Sequence, residues 1–198
     1  MTKIAGSITI SLDGYITGPN DGPSAGLGER GERLHYWVFG GPWSYEAEPR
    51  GEATGADKEY LDSAILRGGA IIGGRNTYEA AGAWGGSNPF GVPFFILTHR
   101  PQDEPNGAGF TFVNGLDEAV ARARDAAGDR DVHFMGGADT LRQALRAGYL
   151  EELSISIAPL ILGAGKRLFE GFDQDIELEH VGVLQSPFAT HITYRVKR

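Results

Sequence analysis

Two short stretches of this chain place a strand, a glycine pair and a helix start in immediate succession. The first is Ala70-Ile71-Ile72-Gly73-Gly74-Arg75-Asn76-Thr77, the second Val132-His133-Phe134-Met135-Gly136-Gly137-Ala138-Asp139-Thr140. Such a junction lets a phosphate approach bare backbone N–H groups at the positive end of a helix. Arg75 adds a planar fork suited to phosphate oxygens and Thr77 a hydroxyl. Two junctions in one small domain point to a ligand with more than one phosphate. The spacing taken alone fits a plain strand-to-helix turn with an exposed arginine equally well. Neither stretch has the spaced glycines of the usual dinucleotide fingerprint or the Walker pattern.

Other residues have chemistry to offer. Thr98 and Arg100 close a predicted strand, and strand C-terminal ends are where open α/β sheets bind ligands; the other reading is a solvated turn halted by Pro101. Asp13 and Glu32 are the foremost candidates for proton transfer, with Glu29 beside them. Each also has a plain structural role: Asp13 as the turn residue of Asp13-Gly14, Glu32 as a carboxylate favoured at a helix start. Lys166, in Leu162-Gly163-Ala164-Gly165-Lys166-Arg167, suits an anionic substrate or a solvated turn. Trp37, Trp43 and Trp84 stand in glycine-rich contexts, as walls of an aromatic cleft or as core. The five histidines show no metal-ligand spacing, there is no Gly-x-Ser-x-Gly elbow, and cysteine is absent.

The elements that position these residues read as follows. A strand over 3–10 leads into the turn at Asp13-Gly14, a glycine-rich loop over 18–31, and a helix over 32–39. A helix over 56–67, capped by Thr54, buries Tyr60, Leu61, Ala64 and Ile65. A loop over 82–91, strands over 93–98 and 110–113, a helix capped by Asn114 with Leu116, Ala119, Val120, Ala123 and Ala127 as its apolar stripe, and a helix over 139–147 complete an alternating series. Alternation implies parallel strands with crossover helices. Strands around Leu153, Ile155 and Ile157, over 176–184 and over 190–196 then follow one another without helices, an antiparallel addition to one edge.

At 198 residues with no linker or composition shift, the chain reads as one domain over 1–198. Eighteen basic against 26 acidic residues give a formal charge of −8, which disfavours nucleic acid and anionic membranes as partners. The 30 glycines are about twice the usual share of roughly 7%, and much of the excess sits in doublets at element ends rather than in a repeat. The N-terminus reads as a strand rather than a signal peptide, and no apolar run suffices for a membrane span, so a cytoplasmic protein is expected.

In order along the chain, Ser11-Leu12-Asp13-Gly14-Tyr15-Ile16, Gly73-Gly74-Arg75-Asn76-Thr77-Tyr78-Glu79, Ile96-Leu97-Thr98-His99-Arg100, Gly136-Gly137-Ala138-Asp139-Thr140-Leu141 and Ala158-Pro159-Leu160-Ile161-Leu162-Gly163-Ala164-Gly165-Lys166-Arg167 resemble the dihydrofolate reductase-like superfamily, in its riboflavin-biosynthesis reductase branch. The resemblance implies a single-domain, three-layer α/β fold and an NADPH-dependent reductase acting by hydride transfer on a small heterocyclic or carbonyl substrate, as a homodimer. By the family's pattern Arg75 meets the 2′-phosphate, with Gly74 clearing space beside it, and Thr77 meets the pyrophosphate. Thr98 and Arg100 lie near the adenosine end, Gly136, Gly137, Ala138 and Thr140 hold the pyrophosphate and nicotinamide ribose, and Ile16 and Thr17 flank the nicotinamide. The deaminase domain that accompanies many riboflavin reductases is not in this sequence. The glycine-rich loop and the 44–55 segment also differ from the compact folate enzyme, so folate reduction is not expected. The alternatives are a protein that binds NADP(H) as a sensor without turnover, and a structural protein that has lost the ligand.

Overall fold

The computed structural model describes residues 2–47, 51–65 and 67–197. Strand β1 (Ile4–Ser11) runs through the middle of the molecule, followed by the short β2 (Tyr15–Thr17). Helix α1 (Gly55–Tyr60) precedes β3 (Ala70–Gly74), α2 (Arg75–Ala80), β4 (Phe94–Leu97) and β5 (Phe110–Val113). Then come α3 (Leu116–Ala127), β6 (Val132–Met135), α4 (Ala138–Arg146), β7 (Glu152–Ala158), β8 (Lys166–Arg167), β9 (Leu178–Gln185) and β10 (Thr190–Val196).

Eight strands form one sheet in the order β5-β4-β3-β6-β1-β7-β10-β9, and β2 pairs with β8 in a separate ribbon. Every pairing from β5 to β7 is parallel, while β10 runs antiparallel to β7 and to β9. The expected mixed sheet with antiparallel C-terminal strands is therefore present. From β3 the chain crosses outward to β4 and β5; from β6 it crosses the opposite way, past β1 to β7. The order thus reverses between the adjacent strands β3 and β6. Connections that diverge leave a crevice at the strands' C-terminal ends, where such sheets bind ligands.

The apolar core follows from residue type. All of β3 is buried, as a strand covered on both faces must be. Helix α3 buries Ala119, Val120, Ala123 and Ala127, the expected stripe at helical spacing. It starts one residue later than expected: Gly115, at φ 107°, is the N-cap, and no side chain caps the helix. Two predicted helices differ more. Over 32–39 the chain forms only a 3-10 turn (Gly31–His35), because the following Tyr36-Trp37-Val38-Phe39 are poor helix formers that bury Trp37 instead. The predicted 56–67 helix is α1 followed by a π-helical turn (Leu61–Ile65), and Thr54 makes no side-chain cap bond. Tyr60 is buried as expected. The side chains of Ala64 and Ile65 lie outside the described residues, as does Leu66. Among the described residues, no helix is long and apolar enough to cross a membrane.

One face of the sheet is unusually polar. Ser7, Thr9 and Ser11 of β1, Ser154 and Ser156 of β7, His133 of β6 and His191 of β10 are all buried. Strand register puts Thr9 opposite Ser156 and Ser156 opposite His191. His133 Nε2 lies 2.9 Å from the Ser7 hydroxyl, and burial pushes its imidazole down from 6.5 to about 4. In this fold His133 is neutral, whereas the unfolded chain takes up a proton as pH falls through 6.5. Stability is therefore full above pH 6.5 and is lost progressively down to pH 4, by roughly 3 kcal/mol for this residue. Urea unfolding at a series of pH values is expected to show that loss, and His133→Gln to remove it; parallel slopes in the two proteins would refute the assignment.

Candidate functional site at the strand-order reversal

The two glycine junctions end β3 and β6, the strands on either side of the reversal. They face each other. A Cβ placed on Gly74 would lie 2.5 Å from Thr140 Oγ1, and one on Gly137 would lie 3.0 Å from Thr77 Oγ1. Each junction therefore needs its glycine because the other junction's threonine comes so close. Gly136 stands at φ 53°, a left-handed conformation natural to glycine, and a Cβ there would touch only Ile8 Cδ1, at 3.9 Å. The peptide joining Gly136 and Gly137 is cis.

These junctions open onto a cleft of about 1340 Å³. That exceeds the roughly 300–1,000 Å³ of a pocket for one small ligand, so a dinucleotide and a second molecule both have room. Every residue expected to bind cofactor lines it: Ile16 and Thr17 from β2, Gly74, Arg75 and Thr77 from the first junction, Thr98 and Arg100 after β4, and Gly136, Gly137, Ala138 and Thr140 from the second. Trp37, Trp43 and Trp84 line it too, and Trp37 is at the same time buried in the core beside Tyr60 and Ala189. Trp84 packs edge-on against Phe90 (centroids 5.6 Å apart), and Trp43 packs between Phe39 and Tyr45 (5.1 Å each).

At the outer end, beyond β3 and β4, Arg75 is held by carboxylates. Its Nε is 2.7 Å from Glu79 and its Nη1 3.6 Å from Asp103. Its guanidinium also lies 4.9 Å above the Phe112 ring. The Nη1 atom is buried without a hydrogen-bond partner among the described residues. Arg100 approaches the same two acids, at 3.5 Å from Asp103 and 3.9 Å from Glu79. Thr98 is buried and its hydroxyl accepts from the Arg100 backbone N–H at 3.1 Å, fixing the turn that brings Arg100 back toward Arg75.

On the other side, Lys166 lines the cleft with its ammonium paired to Asp21. Its backbone runs against Thr17, where a Cβ on Gly165 would overlap the Thr17 carbonyl oxygen at 1.8 Å. Asp13 and Glu32 do not line the cleft. The Asp13 carboxylate accepts from Ser11 Oγ at 2.6 Å and from the Leu162 and Gly163 backbone N–H groups at 3.1 and 2.8 Å. The Ser11 hydrogen bond, with those two backbone bonds, holds its pKa near 2. It fastens the β1–β2 turn to the loop after β7 and is anionic near neutral pH. Glu32 sits half-buried on the 3-10 turn.

The inner end of the cleft has a floor that the sequence did not reveal. Thr9, Trp37, Tyr60 and Ser156 line it, and the Trp37 indole N–H donates to Thr9 Oγ1 at 3.0 Å. Behind them, His191 Nδ1 is 2.7 Å from Ser156 Oγ and its Nε2 is 2.8 Å from Asp57 Oδ1. Tyr60 stacks on the His191 ring at 4.1 Å, and burial raises its phenol to about 12. The Ser154-Ile155-Ser156 alternation on an apolar strand was the available signal; nothing local tied it to Asp57 or His191.

The chain matches the family described as the RibD C-terminal domain over residues 2–191. Over 155 residues, 77% of this chain and 84% of the other, it is 26% identical to the uncharacterized protein YwjB of Bacillus subtilis (strain 168). Among solved structures, a putative riboflavin biosynthesis protein from Shewanella sp. PV-4 superposes with a TM-score of 0.73 at 22% identity, covering 100% of both chains. A dihydrofolate reductase from Enterococcus faecalis, complexed with NADP(H) and RAB-propyl, gives 0.65 at 16% identity, covering 99% of this chain and 97% of that one. Both likenesses establish the dihydrofolate reductase-like α/β fold. With the family match running through nearly its whole length, this chain belongs to the RibD C-terminal domain family.

Proposed function

We propose that this protein is an NADPH-dependent reductase of a small heterocyclic or carbonyl substrate. The observation that carries the reading is the reciprocal fit of the two junctions at the strand-order reversal, Gly74 against Thr140 and Gly137 against Thr77. The cradle they form is one that any Cβ would fill. It supplies helix N-termini and threonine hydroxyls to a pyrophosphate. On this reading Arg75, whose buried Nη1 makes no hydrogen bond, takes the 2′-phosphate, and Ile16 and Thr17 of β2 flank the nicotinamide; that all three line the cleft supports it. That the Enterococcus dihydrofolate reductase of the same fold is complexed with NADP(H) supports the choice of cofactor. Bound NADPH supplies the hydride. The protein's own part is to hold the ring and the substrate in register between the aromatic walls and to keep water out.

The test is fluorescence titration of the purified protein with NADPH and NADH, followed by absorbance at the reduced-nicotinamide band with candidate substrates. NADPH is expected to bind at least tenfold more tightly than NADH and to be consumed with one of them. Equal affinities overturn the 2′-phosphate assignment; tight NADPH binding without turnover on any substrate favours the sensor alternative.

A further inference from the structure

The inner floor of the cleft contains a chain of hydrogen bonds whose direction is fixed by elementary chemistry. A carboxylate can only accept, so the Asp57–His191 contact places the ring proton on Nε2. Nδ1 then carries the lone pair and accepts from the Ser156 hydroxyl. The order is carboxylate, imidazole, hydroxyl, with Asp57, His191 and Ser156 all but inaccessible, at 3%, 1% and 1% exposure. An ionisable pair is costly to bury.

The chain of bonds also has two ends. Ser156 lines the large cleft, whereas His191 lines a second, separate pocket of about 290 Å³ beneath β9. Ser156 stands on β7, one strand from β1 and two from β6, whose end carries Gly136 and Gly137. With strands ~4.8 Å apart, the second junction and Ser156 lie about 10 Å apart across the sheet, on either side of β1.

We propose that Ser156 is the proton donor of the reaction and that His191, positioned by Asp57, holds the proton it passes on. This rests on the reductase reading above, because a hydride delivered to carbon leaves the neighbouring heteroatom one proton short. With His191 in its doubly protonated form, the Ser156 O–H bond breaks toward the substrate heteroatom. A new O–H bond forms with the proton from His191 Nδ1, and the imidazole is left neutral with its Nε2–H on Asp57. The Asp57–His191 pair then recovers one proton from water in the second pocket, away from the reacting atoms. Asp57 and Tyr60 of α1 face the imidazole directly; Glu59 of α1, Arg67 and Glu152 of β7 are the charged groups around the second pocket. Burial lowers the His191 pKa and Asp57 partly restores it, so the proton-loaded form gains population as pH falls.

The experiment compares wild type, Ser156→Ala, His191→Gln and Asp57→Asn. It follows NADPH oxidation with 4-nitrobenzaldehyde and 4-nitroacetophenone between pH 5 and 8, NADPH affinity, and the ring nitrogens of His191 by NMR on protein labelled with 15N-histidine. The wild-type rate is expected to rise as pH falls, and Ser156→Ala to lower kcat about 100-fold with NADPH affinity within twofold, in line with the 10²–10⁴ of a general acid. In wild type at pH 7, Nδ1 should resonate as an unprotonated nitrogen. Asp57→Asn should shift both the His191 titration and the acid limb of the rate to lower pH, which a merely structural role would not do. Should the buried His191 and Asp57 variants fail to fold, Ser156→Ala and the wild-type ring signals decide the matter. Turnover within threefold of wild type in Ser156→Ala, or a His191 ring protonated on Nδ1 alone at pH 7, overturns the relay and leaves the reductase standing. Failure of wild type to bind NADPH, or to oxidise it with either probe, overturns the reading on which the relay depends.

Discussion

Arg75→Ala is expected to weaken NADPH binding by about 100-fold while leaving NADH binding within twofold, so that the protein no longer distinguishes the two. Removing one partner of a charge-assisted contact at a partly desolvated site costs about 2–5 kcal/mol, and Arg75 is only 19% exposed. Its fork is already spoken for on one side, by Glu79 at 2.7 Å, whereas Nη1 is buried without a hydrogen bond and faces Asp103 only at 3.6 Å. The 2′-phosphate of NADPH is the group whose geometry would complete that fork. Glu79 and Asp103 make the argument sharper, since both carboxylates also stand beside Arg100 and would repel a phosphate. Glu79→Gln is therefore expected to move affinity the other way, tightening NADPH several-fold with little change for NADH. Isothermal titration with both nucleotides measures the two variants side by side. An Arg75→Ala protein that keeps its preference would assign the discrimination to Arg100 or to another group.

Why the two glycine junctions were readable and the inner floor was not is a matter of how each is built. Each junction is a contiguous run of residues, so its strand, glycines and helix start announce themselves within ten positions. The parallel part of the sheet follows from alternation for the same reason. What the runs do not contain is their mutual placement. Gly74 meets Thr140, and Gly137 meets Thr77, only because β6 is inserted between β3 and β1. The floor has no local signature at all. Asp57 reads as a helix-start acid, Ser156 as one of a pair of serines in a strand and His191 as a strand residue, and the hydrogen bonds that join them span 134 and 35 positions. Asp13 misled for the converse reason. Its local turn is conspicuous, but its hydrogen bonds to Leu162 and Gly163 and its lowered pKa are long-range consequences of the fold. The 32–39 segment reads as a helix from its boundaries, yet only a 3-10 turn forms, because Tyr36-Trp37-Val38-Phe39 are poor helix formers and bury Trp37 instead.

Gly136→Val is expected to reduce dinucleotide binding at least 100-fold while the protein stays folded, with a melting temperature within a few degrees of wild type. Two costs must be separated. The first is backbone strain: at φ 53° a β-branched residue is disfavoured by about 1–2 kcal/mol, less than a domain of this size has in reserve. The second is occupancy. Gly136 lines the cleft, and within the protein a Cβ at this position meets nothing closer than Ile8 Cδ1 at 3.9 Å, so the first added carbon has room. On the proposed reading, that is where a pyrophosphate approaches the backbone. The loss should therefore appear in binding rather than in folding, and equally for NADPH and NADH, since both share the pyrophosphate. Gly74→Val makes the contrasting case. There the Cβ would press on Thr140 Oγ1 at 2.5 Å, so the junctions themselves must separate and stability should fall together with binding. Thermal unfolding and nucleotide titration on the two variants give the comparison. If Gly136→Val binds NADPH as wild type does, the second junction is a turn and the pyrophosphate lies elsewhere.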